Sequence, residues 1–298
     1  MNNRRALHLW FWLFAGPAVL GFAAFSLLPM LESLWLSFCR YDIVNPPEFV
    51  GLKNYHYVLT ADPAFWPAVK VTAIFALANV PVALATALLL AMLLAQPNRF
   101  QGFYRSVFFL PSLLPQTASV AIFAYIFNPD GGLLNTLLAR AGVEGPAWTS
   151  STTWALPTLL IISLWGFGHA MLIMLGAVQS VPRDLYEAAH LDGAGVWGRF
   201  RHVTLPMISP VLFFNLVMGV IGALKVFDLA YAFGAATGQT PGGPARATLF
   251  YGLHLYQKAF NYFHLGPASA MAWLLFAVIL ALTAFNFLAA KRWVHYER

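Results

Sequence analysis

Charge is what this chain most lacks. Of its 298 residues only 9% are Asp, Glu, Lys or Arg, against about 25% in an ordinary soluble domain. It has one cysteine, Cys39, so no internal disulfide can form, and no Cys/His spacing suggests a metal. There is no GxxxxGK[ST] phosphate loop and no GxGxxG after a strand, so ATP is not bound through a motif of the chain's own. No nucleophile–base constellation stands out, which puts an integral-membrane enzyme far down the ranking. No low-complexity tract or obvious repeat is visible, and a diverged inverted repeat stays open.

Apolar sequence fills that space. The chain is 60% hydrophobic, with a mean hydropathy of +0.68. Runs near ~20 residues, enough for a helix to cross ~30 Å of hydrocarbon, recur along it. Their continuity does not fit the alternating pattern of a membrane β-barrel. The expectation is an all-α, polytopic bundle of six spans at roughly 10–38, 68–95, 106–127, 154–176, 207–232 and 266–290. The loops "NPPEFVGLKNY", "AQPNRFQG", "NPDGGLLN" and "TGQTPGGPARA" separate them. Gly16, Pro17 and Pro29 are expected to bend or shorten the first span. Arg4 and Arg5 before an apolar run have the polarity of a signal peptide. The run exceeds the ~7–15 residues of a typical h-region, so an uncleaved first helix is expected. One transmembrane domain is expected over 1–298, with a core at 66–290 and a polar loop at 177–206.

The net charge of +6 reports topology better than a nucleic-acid partner. With a cytoplasmic N-terminus, ten basic residues fall on the inner side: Arg4, Arg5, Arg99, Arg105, Arg183, Arg199, Arg201, Lys291, Arg292 and Arg298. Six fall outside: Arg40, Lys53, Lys70, Arg140, Arg246 and Lys258. Lys225 lies within the fifth span. The bias is moderate, and it places both termini and the 177–206 loop in the cytoplasm.

That loop contains the longest polar-rich stretch, "YEAAHLDGAGVWGRFRHVTLP" (186–206). Ser180 is a candidate N-cap and Pro182 suits a first helical turn. Asp184 and Glu187 near the N-terminus suit the helix dipole, and Gly193 suits its stop. A second helix is expected from about Ala194 to His202, with Val196, Phe200 and Val203 at helical spacing. Pro206 then suits the start of the fifth span. Small residues at Ala188 and Ala189 allow close approach, Glu187 offers a charge, and Trp197 and Phe200 offer apolar anchoring. These are the features of a docking plug. A surface helix resting on lipid headgroups is the plainer alternative.

The same stretch resembles the EAA motif of binding-protein-dependent ABC importer permeases: Glu-Ala-Ala, a glycine a few residues on, then Ile/Val-x-Leu-Pro. Glu187, Ala188, Ala189, Asp192, Gly193, Ala194, Phe200, Val203, Leu205 and Pro206 match. "VPRDLYEAA", with Tyr186, and Trp197 are similar to carbohydrate-import permeases. So are "FVGLKNY" (49–55), "YRSVFFLP" (104–111), "NPDGGLLN" (128–135), "GGPARAT" (242–248), "AFNYFHLGPASAMAW" (259–273) and "RWVHYE" (292–297). Gln239–Thr240 and His264 depart from the pattern in an outer loop.

The resemblance implies a permease subunit of an ATP-driven sugar importer in a bacterial or archaeal cytoplasmic membrane. Its partners are a second homologous permease, expected to be a different chain, two ATPase subunits and an extracytoplasmic solute-binding protein. ATP and Mg2+ are expected on the ATPase, with no cofactor and no metal on this chain and no nucleic acid as partner. The EAA helices are expected to seat in an ATPase cleft, Glu187 facing a basic residue, and to drive alternating access.

Polar groups inside spans are functional candidates. Trp165 and His169, i and i+4 on span four, are expected to share a face toward cargo. On span five Asn215, Gly219, Gly222 and Val226 share another, either packed or lining the path. Lys225 and Asp228 are expected to form an internal ion pair. Gln116, Thr117, Ser269 and Trp273 are weaker candidates. One lysine in the spans mildly favours a neutral sugar over a phosphorylated solute such as glycerol-3-phosphate. A secondary transporter is the competing class, and the scarcity of intramembrane acids (Glu32 and Asp228) argues against proton coupling.

Overall fold

In the computed structural model, residues 3–97 and 99–295 are described. The chain separates into two compact units: residues up to Asp62 with Leu255–Ala277, and Pro63–His254 with the segment from Val278 onward.

Three helices are long and apolar enough to cross a membrane: Trp10–Ser37, Phe65–Ala95 and Leu265–Ala290. Two more spans are bent pairs, Gln101–Leu113 with Gln116–Ile126 (95°) and Ala155–Leu164 with Gly168–Ser180 (47°), and the fifth, Ser209–Leu224, is preceded at a 70° bend by the loop helix Val196–Met207. Six spans result, and the third and fourth are bent inside the ranges expected for them. The breaks have local causes. Pro115 is preceded by Leu114 in an extended conformation (ψ 139°), the bias a proline imposes on its predecessor. The fifth span stops at Leu224, with Lys225 as its C-cap, and a separate helix runs Asp228–Thr237. The expected continuation to 232 is therefore wrong.

The first unit begins with a helix that does not end early. A π-turn at Ala23–Leu27, in which Leu28 N–H donates to the Ala23 carbonyl, precedes Pro29. Widening one turn relieves the clash between a proline ring and the carbonyl four residues back. Beyond Ser37 a short hairpin pairs Cys39 with Phe49 and Arg40 with Glu48, and Arg40 and Glu48 form an ion pair. Asn54 of "FVGLKNY" is buried, and its Nδ2 donates to the carbonyls of Ser37 and Cys39, both at 2.8 Å. It takes up carbonyls that the end of a span leaves without helical donors. Gly266 packs against the same strand, where a Cβ would stand 2.2 Å from the Cys39 carbonyl oxygen.

The same unit holds a buried ion pair. Lys258 Nζ lies 3.1 Å from Asp62 Oδ2, with side chains 9% and 2% exposed, and donates to the Tyr57 hydroxyl at 3.0 Å. Burial disfavours the ammonium, but the bonds to Tyr57 and Asp62 and the carboxylate's charge outweigh it, so the Lys258 pKa is raised. The folded chain thus holds this proton more tightly than the unfolded one. The resulting stability is complete below the ordinary lysine value of 10.5 and lost as pH rises through the folded value. Thermal melts above that pH are expected to fall more steeply for wild type than for a Lys258→Met/Asp62→Leu double variant. Parallel slopes would exclude the linkage.

In the second unit Phe65–Ala95 is the central helix. Ala87 and Ala91, fully buried, face Met171, Met174 and Leu175 of Gly168–Ser180; small residues at i and i+4 let the two backbones close in. Further along, Phe75 meets Phe250 edge-to-face at 5.0 Å in a cluster with Leu159, Leu229 and Phe233. Thr72 Oγ1 donates to Ala68 O (2.9 Å) and accepts from Tyr251 N–H (2.8 Å), so a polar side chain in a dry region keeps its bonds filled.

Candidate functional site

The polar loop folds as two short helices, Arg183–Leu191 and Val196–Met207. Ser180 does not cap the first. It ends the preceding helix with its hydroxyl donating to Ala177 O at 2.8 Å. Pro182 stands at the N-cap in an extended conformation (ψ 134°) with no side-chain cap. Val181 before it is extended (ψ 124°), the bias a proline imposes on its predecessor, so the boundary lies two residues later than expected.

The turn between the helices is a Schellman motif. Gly193 stands at φ +80°, its N–H reaches His190 O at 3.0 Å, and Ala194 N–H reaches Ala189 O at 2.9 Å. That conformation favours glycine. The second helix starts at Val196 behind Gly195 rather than at Ala194. A π-turn at Phe200–Thr204 lies within it. Pro206 sits near its end, and the fifth span proper begins at Ser209. Tyr186 Oη and the buried Thr204 Oγ1 are 2.9 Å apart, tying one helix to the other.

Outside that tie the pair is exposed. Glu187, Ala188 and Asp192 face solvent, while Ala189 and Ala194 are half-buried. Leu191 is 88% and Trp197 69% exposed, with Phe200 tilted against Trp197 at 5.3 Å. Glu187 has no ion-pair partner among the described residues. A rigid, charged and apolar knob therefore projects from the ends of two spans.

Two cavities lie among the spans of the same unit. One, of about 380 Å³, is lined by Asn79, Gln116, Ser163, Gly222, Lys225 and Asp228 among others. The second, about 280 Å³, shares Gln116 and Ser163 and adds Trp165. Gln116 opens the half-helix after the Pro115 break, so the bend that interrupts span three delivers its amide to both.

Trp165 and His169 do not share a helix face. Trp165 closes one half of span four and His169 lies in the other. Trp165 meets Phe123 edge-on at 5.4 Å, and His169 meets Phe109 at 5.2 Å. Trp165 lines the smaller cavity, and His169 is in the lining of neither of the two. Asn215 is buried and spends its amide on Val211 O at 2.9 Å. Gly219, Gly222 and Val226 line the larger cavity, and a Cβ on Gly219 would touch Val80 at 3.4 Å. Trp273 belongs to the other unit and packs edge-on against Phe276 at 5.3 Å.

Lys225 and Asp228 form no ion pair among the described residues. The helix breaks between them, which removes the i, i+3 geometry the pairing required. Sequence reasoning missed Asn79 and Ser163, which hydrogen-bond to each other at the cavity. An asparagine in the apolar run "ALANVPVAL" was the signal.

The family model described as "Binding-protein-dependent transport system inner membrane component" matches residues 57–294. The probable ABC transporter permease protein YesP of Bacillus subtilis (strain 168) is 41% identical over 286 residues, 95% of this chain and 91% of that protein. The lactose transport system permease protein LacF of Rhizobium radiobacter is 35% identical over 284 residues, 94% and 93% of the two chains. A bacterial ABC transporter involved in the import of the acidic polysaccharide alginate has a chain of the same fold, with a TM-score of 0.82 at 20% identity and coverage of 97% and 96%. The EAA-like knob sits within the matched residues, and the six-span bundle carrying it is the fold of an importer permease: this chain belongs to the binding-protein-dependent transport system inner membrane component family.

Proposed function

We propose that this chain is one of two homologous permease subunits of an ATP-driven carbohydrate importer, with both termini cytoplasmic. The observation that carries the reading is the knob at 183–207. Its two helices are locked by the Gly193 turn and the Tyr186–Thr204 bond, and its contact residues Glu187, Leu191 and Trp197 are left uncovered. A rigid element of this kind transmits displacement from a docked ATPase into the spans. Hydrolysis belongs to that separate ATPase dimer, and a solute-binding protein delivers cargo on the opposite face. Alternating access then moves the cargo through a path shared with the second permease.

Gln116, Asn79, Ser163 and Trp165 are the residues proposed to meet the cargo on the way. Amide and hydroxyl groups match sugar hydroxyls, and an indole matches the apolar face of a sugar ring. Lys225 and Asp228 at the larger cavity balance in formal charge, which suits a neutral solute. The lactose permease relative and the crystal structure of the alginate transporter with a pentasaccharide-bound periplasmic protein support a saccharide as cargo.

The test is uptake into proteoliposomes holding both permeases and the ATPase, with a panel of oligosaccharides and glycerol-3-phosphate supplied on the binding protein. Uptake should require ATP and be saturable for a saccharide. Gln116→Ala should raise the half-saturating concentration about two- to tenfold, the worth of one hydrogen bond, with unloaded ATPase activity unaltered. ATP-independent uptake by this chain alone would make it a secondary transporter.

A further inference from the structure

A cavity of about 880 Å³ opens where the helices Phe65–Ala95 and Gly168–Ser180 end and the two short helices begin. Its wall has two chemical halves. Met92 and Ala95 on one span, with Val178 and Val181 at the end of the other, make an apolar side. Arg183 of the first short helix and Arg199 of the second face the same space, beside the amides of Gln96 and Gln179. No acidic side chain lines it; Asp184, next to Arg183, is outside the lining. Neither arginine has a carboxylate partner among the described residues. Gln101 also lines the cavity, and Arg105, one turn further along that helix, buries its Nε without an acceptor.

We infer that this cavity holds an anionic phospholipid, its phosphate between Arg183 and Arg199 and its acyl region along Met92, Ala95, Val178 and Val181. Both walls are needed for the assignment. Guanidinium groups present forked donors that match phosphate oxygens, and Arg183, exposed, and Arg199, half-buried, offer two of them to one space with no acidic side chain in its lining. Inorganic phosphate or a sugar phosphate would leave the apolar half wet, whereas a lipid covers it. The position also fits, because the cavity lies at the ends of two spans, on the face proposed above to be cytoplasmic. Basic pockets between spans on that side are the setting in which anionic headgroups bind. Arg183 and Arg199 belong to different helices of the knob, so one headgroup bridges both to the span ends. Lipid composition thereby reaches the coupling element.

The measurement is lipid retention by the assembled transporter, both permeases with the ATPase dimer. The complex is taken from vesicles of phosphatidylcholine and phosphatidylglycerol in equal parts and weighed by native mass spectrometry. Wild type should retain phosphatidylglycerol in preference to phosphatidylcholine. An Arg183→Gln/Arg199→Gln double variant should bind it about thirtyfold more weakly, about fivefold per guanidinium. The Arg183→Lys/Arg199→Lys variant, which preserves charge, should keep most of the retention and show that loss in the glutamine variant is not misfolding. Equal retention by wild type and the glutamine variant overturns the inference. So does displacement of the lipid by millimolar inorganic phosphate, which marks a free-anion site. Lipid bound to the permease pair but absent once the ATPase is added also overturns it, because the arginines then belong to the ATPase contact. None of these readings depends on the cargo, so failure of the sugar assignment would leave them intact.

Discussion

Replacing Gly193 by proline should abolish cargo-stimulated ATP hydrolysis in the assembled transporter while the chain still inserts into the membrane. Proline holds φ near −65°, whereas Gly193 stands at +80°. Proline also removes the N–H that reaches His190 O. Loss of the turn costs about 3 kcal/mol or more, on the scale of a proline forced into a helix interior, and it leaves the Tyr186–Thr204 bond to hold a nine-residue helix against its neighbour. Without the Schellman motif the helix Arg183–Leu191 no longer holds a fixed angle to Val196–Met207, and a docked ATPase pushes on a hinge instead of a lever. Alanine separates geometry from bulk. No atom lies within 4 Å of a Cβ at this position, so Gly193→Ala meets only the left-handed penalty of about 1–2 kcal/mol. It should retain partial coupling. Glu187→Ala should leave the fold intact and weaken assembly with the ATPase, because the exposed carboxylate makes no ion pair within this chain. Wild-type stimulation in Gly193→Pro, with assembly confirmed, would sink the lever mechanism.

Asp62→Ala is expected to be the most destabilising single substitution in the first unit. It leaves Lys258 with its side chain 9% exposed and without its carboxylate. Breaking a buried pair from one side costs about 3–5 kcal/mol. The Tyr57 hydroxyl, 3.0 Å from Nζ, offsets a part. The Lys258→Met/Asp62→Leu variant removes both charges together, and apolar replacement of a buried pair is often neutral or stabilising. Melting of the purified chain in one detergent should therefore rank Asp62→Ala well below both wild type and the double variant. Equal melting temperatures for wild type and Asp62→Ala would show that the charge is not held away from water. The pair joins the segment before the second span to the one before the last, so the expected damage is local to the first unit.

Polar residues placed at breaks recur in this molecule. Gln116 follows Pro115, and Lys225 and Asp228 flank the gap between two helices. At each break the backbone leaves the ladder that would hide it from lipid, and it is tolerated where protein or a cavity covers it. The cavities of about 380 and 280 Å³ lie at these breaks. The polar residues that stand at the breaks, Gln116, Lys225 and Asp228, thus supply groups that line the space.

The sequence by itself determined the membrane class, the number of spans and the two-helix form of the polar loop. Each rests on information local in the chain: apolar run length against bilayer thickness, and a glycine and short motif at fixed offsets in "EAAHLDGAG". Gly193 could be assigned its turn because only a glycine at that offset ends such a helix readily. Tertiary structure decided which polar residues meet. Trp165 and His169 are four apart, yet a 47° bend puts them against different aromatic partners, and hydropathy does not register bends. Asn79 and Ser163 are 84 positions apart, so their pairing depends on how two spans pack. Lys225 and Asp228 obey helical spacing in the sequence and lose it in the fold, because the helix ends between them. Spacing predicts contact only along an unbroken element; across a break or between spans, packing sets the distance.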